Sequence, residues 1–201
     1  MKRRHVAILV FPDVEILDFA GPFEVFAVTN ELNGGDVFHT FTVAEQPGSL
    51  RARNGLKLVP DFTLENCPSP GLLVVPGGAG TRPLLRKPSL LEWIRQRTRR
   101  AEIVASVCTG ALVLAEAGLL HNLRATTHHE NLAELAALAP NTDIDAGVRF
   151  TDNGQILTAA GISAGIDLSL HIVARLLGEE TAQRTARYME YPWSNDGGVR
   201  R

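Results

Sequence analysis

Cysteine is scarce in this chain: two residues in 201, Cys67 and Cys108. A domain of this length builds a core without a covalent staple, so no disulfide framework is expected, and both thiols are expected to be free in a reducing cytoplasm. No apolar run approaches the roughly 18 residues of a membrane span. The stretch Val6–Phe11 follows a basic flank but stops at Pro12-Asp13 without a small-residue cleavage site, and it reads as a buried strand and not as a secretion signal. Excess charge is lacking too: 20 Lys and Arg against 22 Asp and Glu leave a net charge of −2, with no field to hold nucleic acid or an anionic membrane. Arg95, Arg97, Arg99 and Arg100 cluster locally, as a solvated helix face does. No Gly-Lys-Ser/Thr occurs, which excludes a Walker loop. With 45% apolar and 21% charged residues, the chain reads as one globular domain over 1–193 with a polar tail at 194–201.

What is present alternates. Buried-strand runs at Val6–Phe11, Phe38–Ala44, Leu72–Val75 and Ile103–Val107 are interleaved with helical patterns at Phe19–Leu32, Pro88–Arg100 and Gly110–Ala117. Arg51–Asp61, with Asn54-Gly55 inside it, reads as a strand or hairpin region. A short strand at Arg124–Thr127 precedes a helix near Asn131–Leu138. A hairpin joins Val148–Thr151 to Gln155–Ala159, and a long helix covers Ile166–Leu177. This order predicts a doubly wound α/β sheet, whose ligands bind beyond the carboxyl ends of the strands. Three loops lie there: Phe11–Pro22, Pro76–Arg82 and Cys108–Gly110.

Gly77-Gly78-Ala79-Gly80 fails as a dinucleotide fingerprint, because Pro83 stands where the third glycine belongs. It is left as a tight turn, or as a turn whose backbone N–H groups of Gly78 and Ala79 face a bound ligand. Gly161-Ile162-Ser163-Ala164-Gly165 matches the nucleophile-elbow pattern, yet Asp167 and His171 follow on the same helix, about 6 Å and 12 Å along its axis, and form no relay. Small residues for helix packing are the simpler meaning. The stronger elbow is Ser106-Val107-Cys108-Thr109-Gly110, between a buried strand and a helix. A cysteine at a helix N-terminus is expected to be thiolate near neutrality, its pKa lowered from about 8.5 by a unit or more. Cys67, in Asn66-Cys67-Pro68, has no such setting. Two groups are candidates to handle the proton: Asp18, in an apolar stretch where it is either chemical or a helix cap, and His128, after the Arg124–Thr127 strand.

These segments together resemble the ThiJ/PfpI superfamily, carried by Phe11-Pro12, Asp18-x-x-Gly21-Pro22, Val75-Pro76-Gly77-Gly78, Ser106–Gly110, Ala125-Thr126-Thr127-His128 and Ala160–Asp167. Thr109, where protease-like members carry histidine, makes the chain most similar to the isonitrile hydratase branch and to sensor domains of AraC-type regulators. Relatives often have Trp where His129 stands here. The resemblance implies a flavodoxin-like fold of the class I glutamine amidotransferase type, with helices on both faces of a mostly parallel sheet. It further implies hydration of an isonitrile to an N-substituted formamide without metal or organic cofactor, and a homodimer acting on a small molecule with no nucleic-acid or membrane partner. Cys108 would be the nucleophile, Asp18 the proton donor and base, and Thr109 with Gly78 and Ala79 would hold developing charge beside His128. A glyoxalase or deglycase on the same cysteine is the competing enzyme. A redox-sensing or ligand-binding module is the non-enzymatic alternative.

Overall fold

The computed structural model describes residues 3–194; most of the expected polar tail, residues 195–201, lies outside them. In chain order β1 (Arg4–Leu9) leads to α1 (Ile16–Leu32) and β2 (Phe38–Ala44). A small hairpin of β3 (Leu50–Arg51) and β4 (Lys57–Leu58) precedes β5 (Phe62–Thr63) and β6 (Leu72–Val75). Then come α2 (Thr81–Leu84), α3 (Pro88–Thr98), β7 (Ile103–Val107) and α4 (Gly110–Glu116). After β8 (Arg124–Ala125), α5 (Leu132–Leu138) and β9 (Asp143–Ile144), the chain closes with β10 (Phe150–Asp152), β11 (Ile156–Ala159), α6 (Ala164–Leu177) and α7 (Glu179–Tyr188).

Seven strands form the central sheet in the order β10-β11-β7-β6-β1-β2-β5, parallel at every pairing except β10 with β11. The inner strands are buried on both faces, which is why Leu72–Val75 and Ile103–Val107 are nearly continuous apolar runs. Helices α1, α6 and α7 pack together as one layer; α4 packs on α2 and α5. From β1 the chain winds outward to β2, then recrosses to β6 and β7. The winding direction therefore reverses between β1 and β6, the place where such sheets open a crevice.

Two expectations need correction. The first helix begins at Ile16, not Phe19, so Asp18 lies inside its first turn and does not precede it. The strand expected over Arg124–Thr127 has only two residues and pairs with β9 in a separate two-stranded sheet. The hairpin around Asp152-Asn153-Gly154 forms as read, with Gly154 at φ 85° and its N–H donated to Asp152 Oδ1 at 2.7 Å.

The motif Asp18-x-x-Gly21-Pro22 has a packing logic. A Cβ on Gly21 would stand 3.0 Å from Ile166 Cγ1, and one on Gly165 would stand 2.9 Å from Val107 Cγ1 and 3.6 Å from Pro22 Cγ. Without side chains at these two points, α1, α6 and the end of β7 approach closely. The first turns of α1 and α6 are thereby drawn to the residue that follows β7, which is Cys108.

Candidate active site

Cys108 sits at φ 55°, in the left-handed region that costs a non-glycine residue about 1 kcal/mol or more. Its surroundings over-determine that conformation. The Cys108 N–H is shared between the carbonyls of Ala159 and Ala160 at 3.1 and 3.0 Å, and its own carbonyl accepts from the Thr127 hydroxyl at 2.7 Å. Gly110 completes the bend, since a Cβ there would fall 1.9 Å from the Val75 carbonyl oxygen.

Asp18 comes to this elbow from α1 and is fully buried, at 0% exposure, against 7% for Cys108. It caps nothing. Its Oδ2 accepts the Gly77 N–H at 3.0 Å, the Cys108 thiol lies close enough to interact with the carboxyl, and Oδ1 has no hydrogen-bond partner among the described residues. Gly77 must be glycine here, because a Cβ would stand 2.5 Å from the Thr109 nitrogen and 2.9 Å from Asp18 Oδ2. Burial, opposed by the Gly77 N–H and reinforced by Glu15, raises the Asp18 carboxyl to about 7.

The expected neutral-pH thiolate is not what this geometry produces. Burial and then the neighbouring Asp18 charge push the Cys108 thiol up to about 12, outweighing the backbone N–H groups of Thr109 and Ile162 and the Thr109 hydroxyl that favour a negative sulfur. Above about pH 7 the pair therefore carries one exchangeable proton: a thiol beside a carboxylate, poised to become a thiolate beside a carboxylic acid. Cys67 is raised to about 11 by burial, against the pull of the Arg97 charge and with no carboxylate among the causes, and both cysteines are free thiols.

Thr109 is the residue before α4, and its hydroxyl is engaged. It accepts the Gly78 N–H at 2.9 Å and lies 3.2 Å from the Gly78 carbonyl and 3.3 Å from the Thr81 hydroxyl. Gly78, expected to donate to a ligand, instead spends its N–H on Thr109. It adopts φ 124° and bridges Val14, where a Cβ would meet the Asp13 carbonyl at 2.4 Å. Ala79 is exposed on this turn.

His128 arrives by a different route from the one expected. β8 lies outside the main sheet, but the Thr126 N–H bonds the Thr158 hydroxyl at 2.8 Å and Thr127 holds Cys108, so the segment is pinned across β11 to the elbow. The His128 ring packs on Gly161, where a Cβ would come within 2.2 Å, and lies 4.3 Å from the His129 ring. A cavity of about 400 Å³ opens there. Three contributors stand in the quoted motifs without a role legible there: Ile162, whose N–H faces the thiol from φ 52°; Thr127; and Gly77 as the donor to Asp18. The second glycine-flanked turn at 161–165 was the available signal for Ile162.

Fold and site define a doubly wound α/β protein with a cysteine on a strained strand-to-helix turn and a buried acid beside it, at the point where the winding reverses. The chain belongs to the DJ-1/PfpI family, whose model matches residues 4–175, and its fold is the flavodoxin-like one of that family. It is 38% identical over 190 residues to the isonitrile hydratase of Pseudomonas putida, covering 93% of this chain and 78% of that one. It is also 31% identical to the HTH-type transcriptional regulator CdhR of Pseudomonas aeruginosa, over 87% of this chain and 51% of the regulator, so it spans about half of that relative. Among solved structures, a ThiJ/PfpI family protein from Pseudomonas syringae superposes with a TM-score of 0.85 at 30% identity, over 98% of this chain and 78% of that one. No helix among the described residues is long and apolar enough to cross a membrane.

Proposed function

We propose that the protein hydrates an isonitrile, R–N≡C, to the N-substituted formamide, using Cys108 and Asp18. The observation that carries this reading is the buried Asp18 carboxyl against the Cys108 thiol, because the reaction needs one group that adds to a carbon and one that moves a proton to that same carbon. Asp18 takes the thiol proton as sulfur bonds to the terminal carbon, and returns it to the carbon lone pair, leaving a thioimidate, R–N=CH–S–Cys108. Asp18, again a carboxylate, removes a proton from water as the oxygen adds, and passes it to nitrogen. Collapse of R–NH–CH(OH)–S–Cys108 releases the formamide as the hydroxyl proton returns to sulfur through Asp18. The N–H groups of Thr109 and Ile162 stabilise sulfur while it carries charge, and the Thr109 hydroxyl fixes the Gly77-Gly78 wall behind Asp18. His128 borders the space open to substrate, and the exposed Ala79 would meet the substrate from the neighbouring turn.

The same reading makes the protein a cytoplasmic homodimer acting on a small molecule. Purified protein given an alkyl isonitrile, methylglyoxal and a peptide amide tests it: formamide is expected from the first alone, with turnover lost by a factor of about 10⁴ or more in Cys108→Ala. Lactate from methylglyoxal would favour the glyoxalase alternative. Its likeness to regulators over about half their length supports a second, ligand-sensing reading. That reading gains if no substrate turns over.

A further inference from the structure

We infer that the mouth of this site selects substrates bearing a carboxylate, held by the Arg149 guanidinium and the Ser163 hydroxyl; this rests on the hydratase reading and names the class of isonitrile it would take. The cavity is bordered by His128, His129, Arg149, Gly161, Ile162 and Ser163. It shares a wall with the nucleophile, since the Ile162 N–H faces the Cys108 sulfur while the carbonyl of Ala160, also in this wall, accepts from the Cys108 N–H. A substrate that runs from Cys108 into this cavity carries its other end to Arg149 and Ser163.

The charges at this mouth are layered. Asp167 lies inside, its side chain 14% exposed; Arg149, paired with it, lies outside at 32% and borders the cavity. Both Asp167 oxygens are spent, one on Arg149 and one on the Tyr191 hydroxyl at 3.1 Å. That buried acid holds the guanidinium in place and keeps none of its own oxygens for a ligand. Arg149 Nη2 donates to Ser163 Oγ at 3.0 Å, so the exposed Ser163 keeps its O–H to donate outward. The His128 Nδ1 accepts the Glu130 N–H at 3.3 Å, and both imidazoles border the cavity. Glu130, 74% exposed and 4.0 Å from His128 Nδ1, stands at the water-facing rim. A rigid planar cation beside a hydroxyl is a carboxylate receptor, and a cavity of this volume admits a small acid.

The test compares alkylation of Cys108 by iodoacetate with alkylation by its neutral counterpart iodoacetamide, each rate divided by that of a free thiol. The parent protein is expected to favour iodoacetate by about tenfold. Arg149→Gln is expected to lose the preference with the iodoacetamide rate unchanged, and Ser163→Ala, which leaves the Asp167 pair intact, to lose about half of it on a logarithmic scale. Equal ratios in parent, Arg149→Gln and Ser163→Ala overturn the proposal. In parallel, an isonitrile carrying a carboxylate is compared with its methyl ester. Hydration of both at equal kcat/KM sinks carboxylate selection and leaves the hydratase reading standing; iodoacetate preference with neither hydrated sinks the hydratase reading and leaves the receptor standing.

Discussion

Two turns of this protein share one backbone device and use it for opposite ends. β7 and β11 are parallel neighbours, and each runs into a turn with a left-handed non-glycine residue: Cys108 at φ 55° before α4 and Ile162 at φ 52° before α6. At the first turn the strained residue supplies a reactive side chain. At the second it supplies only its N–H, aimed at the sulfur of the first. Ser163, which the elbow pattern marks as a nucleophile, is instead an exposed acceptor for Arg149. The residues that would have to activate it are committed elsewhere, Asp167 to Arg149 and Tyr191, and His171 to Asp152 at 2.7 Å. An elbow becomes a nucleophile site only where a proton acceptor is buried against it, and Asp18 stands at Cys108.

Asp18→Asn breaks the comparison most severely. It keeps the acceptor for Gly77 but removes the base, and turnover is expected to fall a hundredfold or more, measured as formamide release. Stability moves the other way. A carboxyl at about 4 in the unfolded chain and about 7 in the fold favours the native state fully below pH 4 and progressively less up to pH 7 and beyond, because the fold binds the extra proton. Asn carries no such dependence. The melting temperature of Asp18→Asn relative to the parent is therefore expected to climb between pH 4 and pH 8, by the equivalent of about 4 kcal/mol at most. A flat difference would mean that the carboxyl is not held protonated by burial.

Thr109→Val comes next. It removes the hydroxyl that orders Gly77-Gly78 and reaches the sulfur, and a loss of about 3 kcal/mol in the transition state, roughly a hundredfold, is expected in kcat/KM, with Thr109→Ser near the parent. Ile162→Gly sharpens the comparison with the smallest effect. The N–H stays and the left-handed strain is relieved, so turnover is expected within a few-fold of the parent, whereas Ile162→Pro, which can supply neither the N–H nor a positive φ, is expected to be severely impaired.

The alternation of buried runs and helical patterns was enough to read the sheet, because parallel strands buried on both faces leave an unbroken apolar signature at Leu72–Val75 and Ile103–Val107. The α7 helix and the two-residue strands β5 and β9 were not legible. Helix α7 draws its order from packing on α6 and α1, and pairs two residues long leave no periodicity to detect. Cys108 and Asp18 were legible as chemistry. The proton balance between them was not, because burial of Asp18 follows from the crossing of α1 and α6 at Gly21 and Gly165, which no local pattern announces. The same blindness hid the commitment of the Gly78 N–H to Thr109.

The central claim is that Asp18 and Cys108 titrate as one unit, with the carboxylate as the base for the thiol. The pH dependence of Cys108 alkylation by iodoacetamide, followed by peptide mapping from pH 5 to pH 10 in the parent and in Asp18→Asn, tests it directly. The parent rate is expected to rise through a midpoint of about 7 and then level, with Cys67 nearly silent below pH 9; in Asp18→Asn the midpoint is expected to leave the neutral range and move to high pH. Superimposable profiles for the two proteins would contradict the pairing and return Cys108 to the status of an independent thiol.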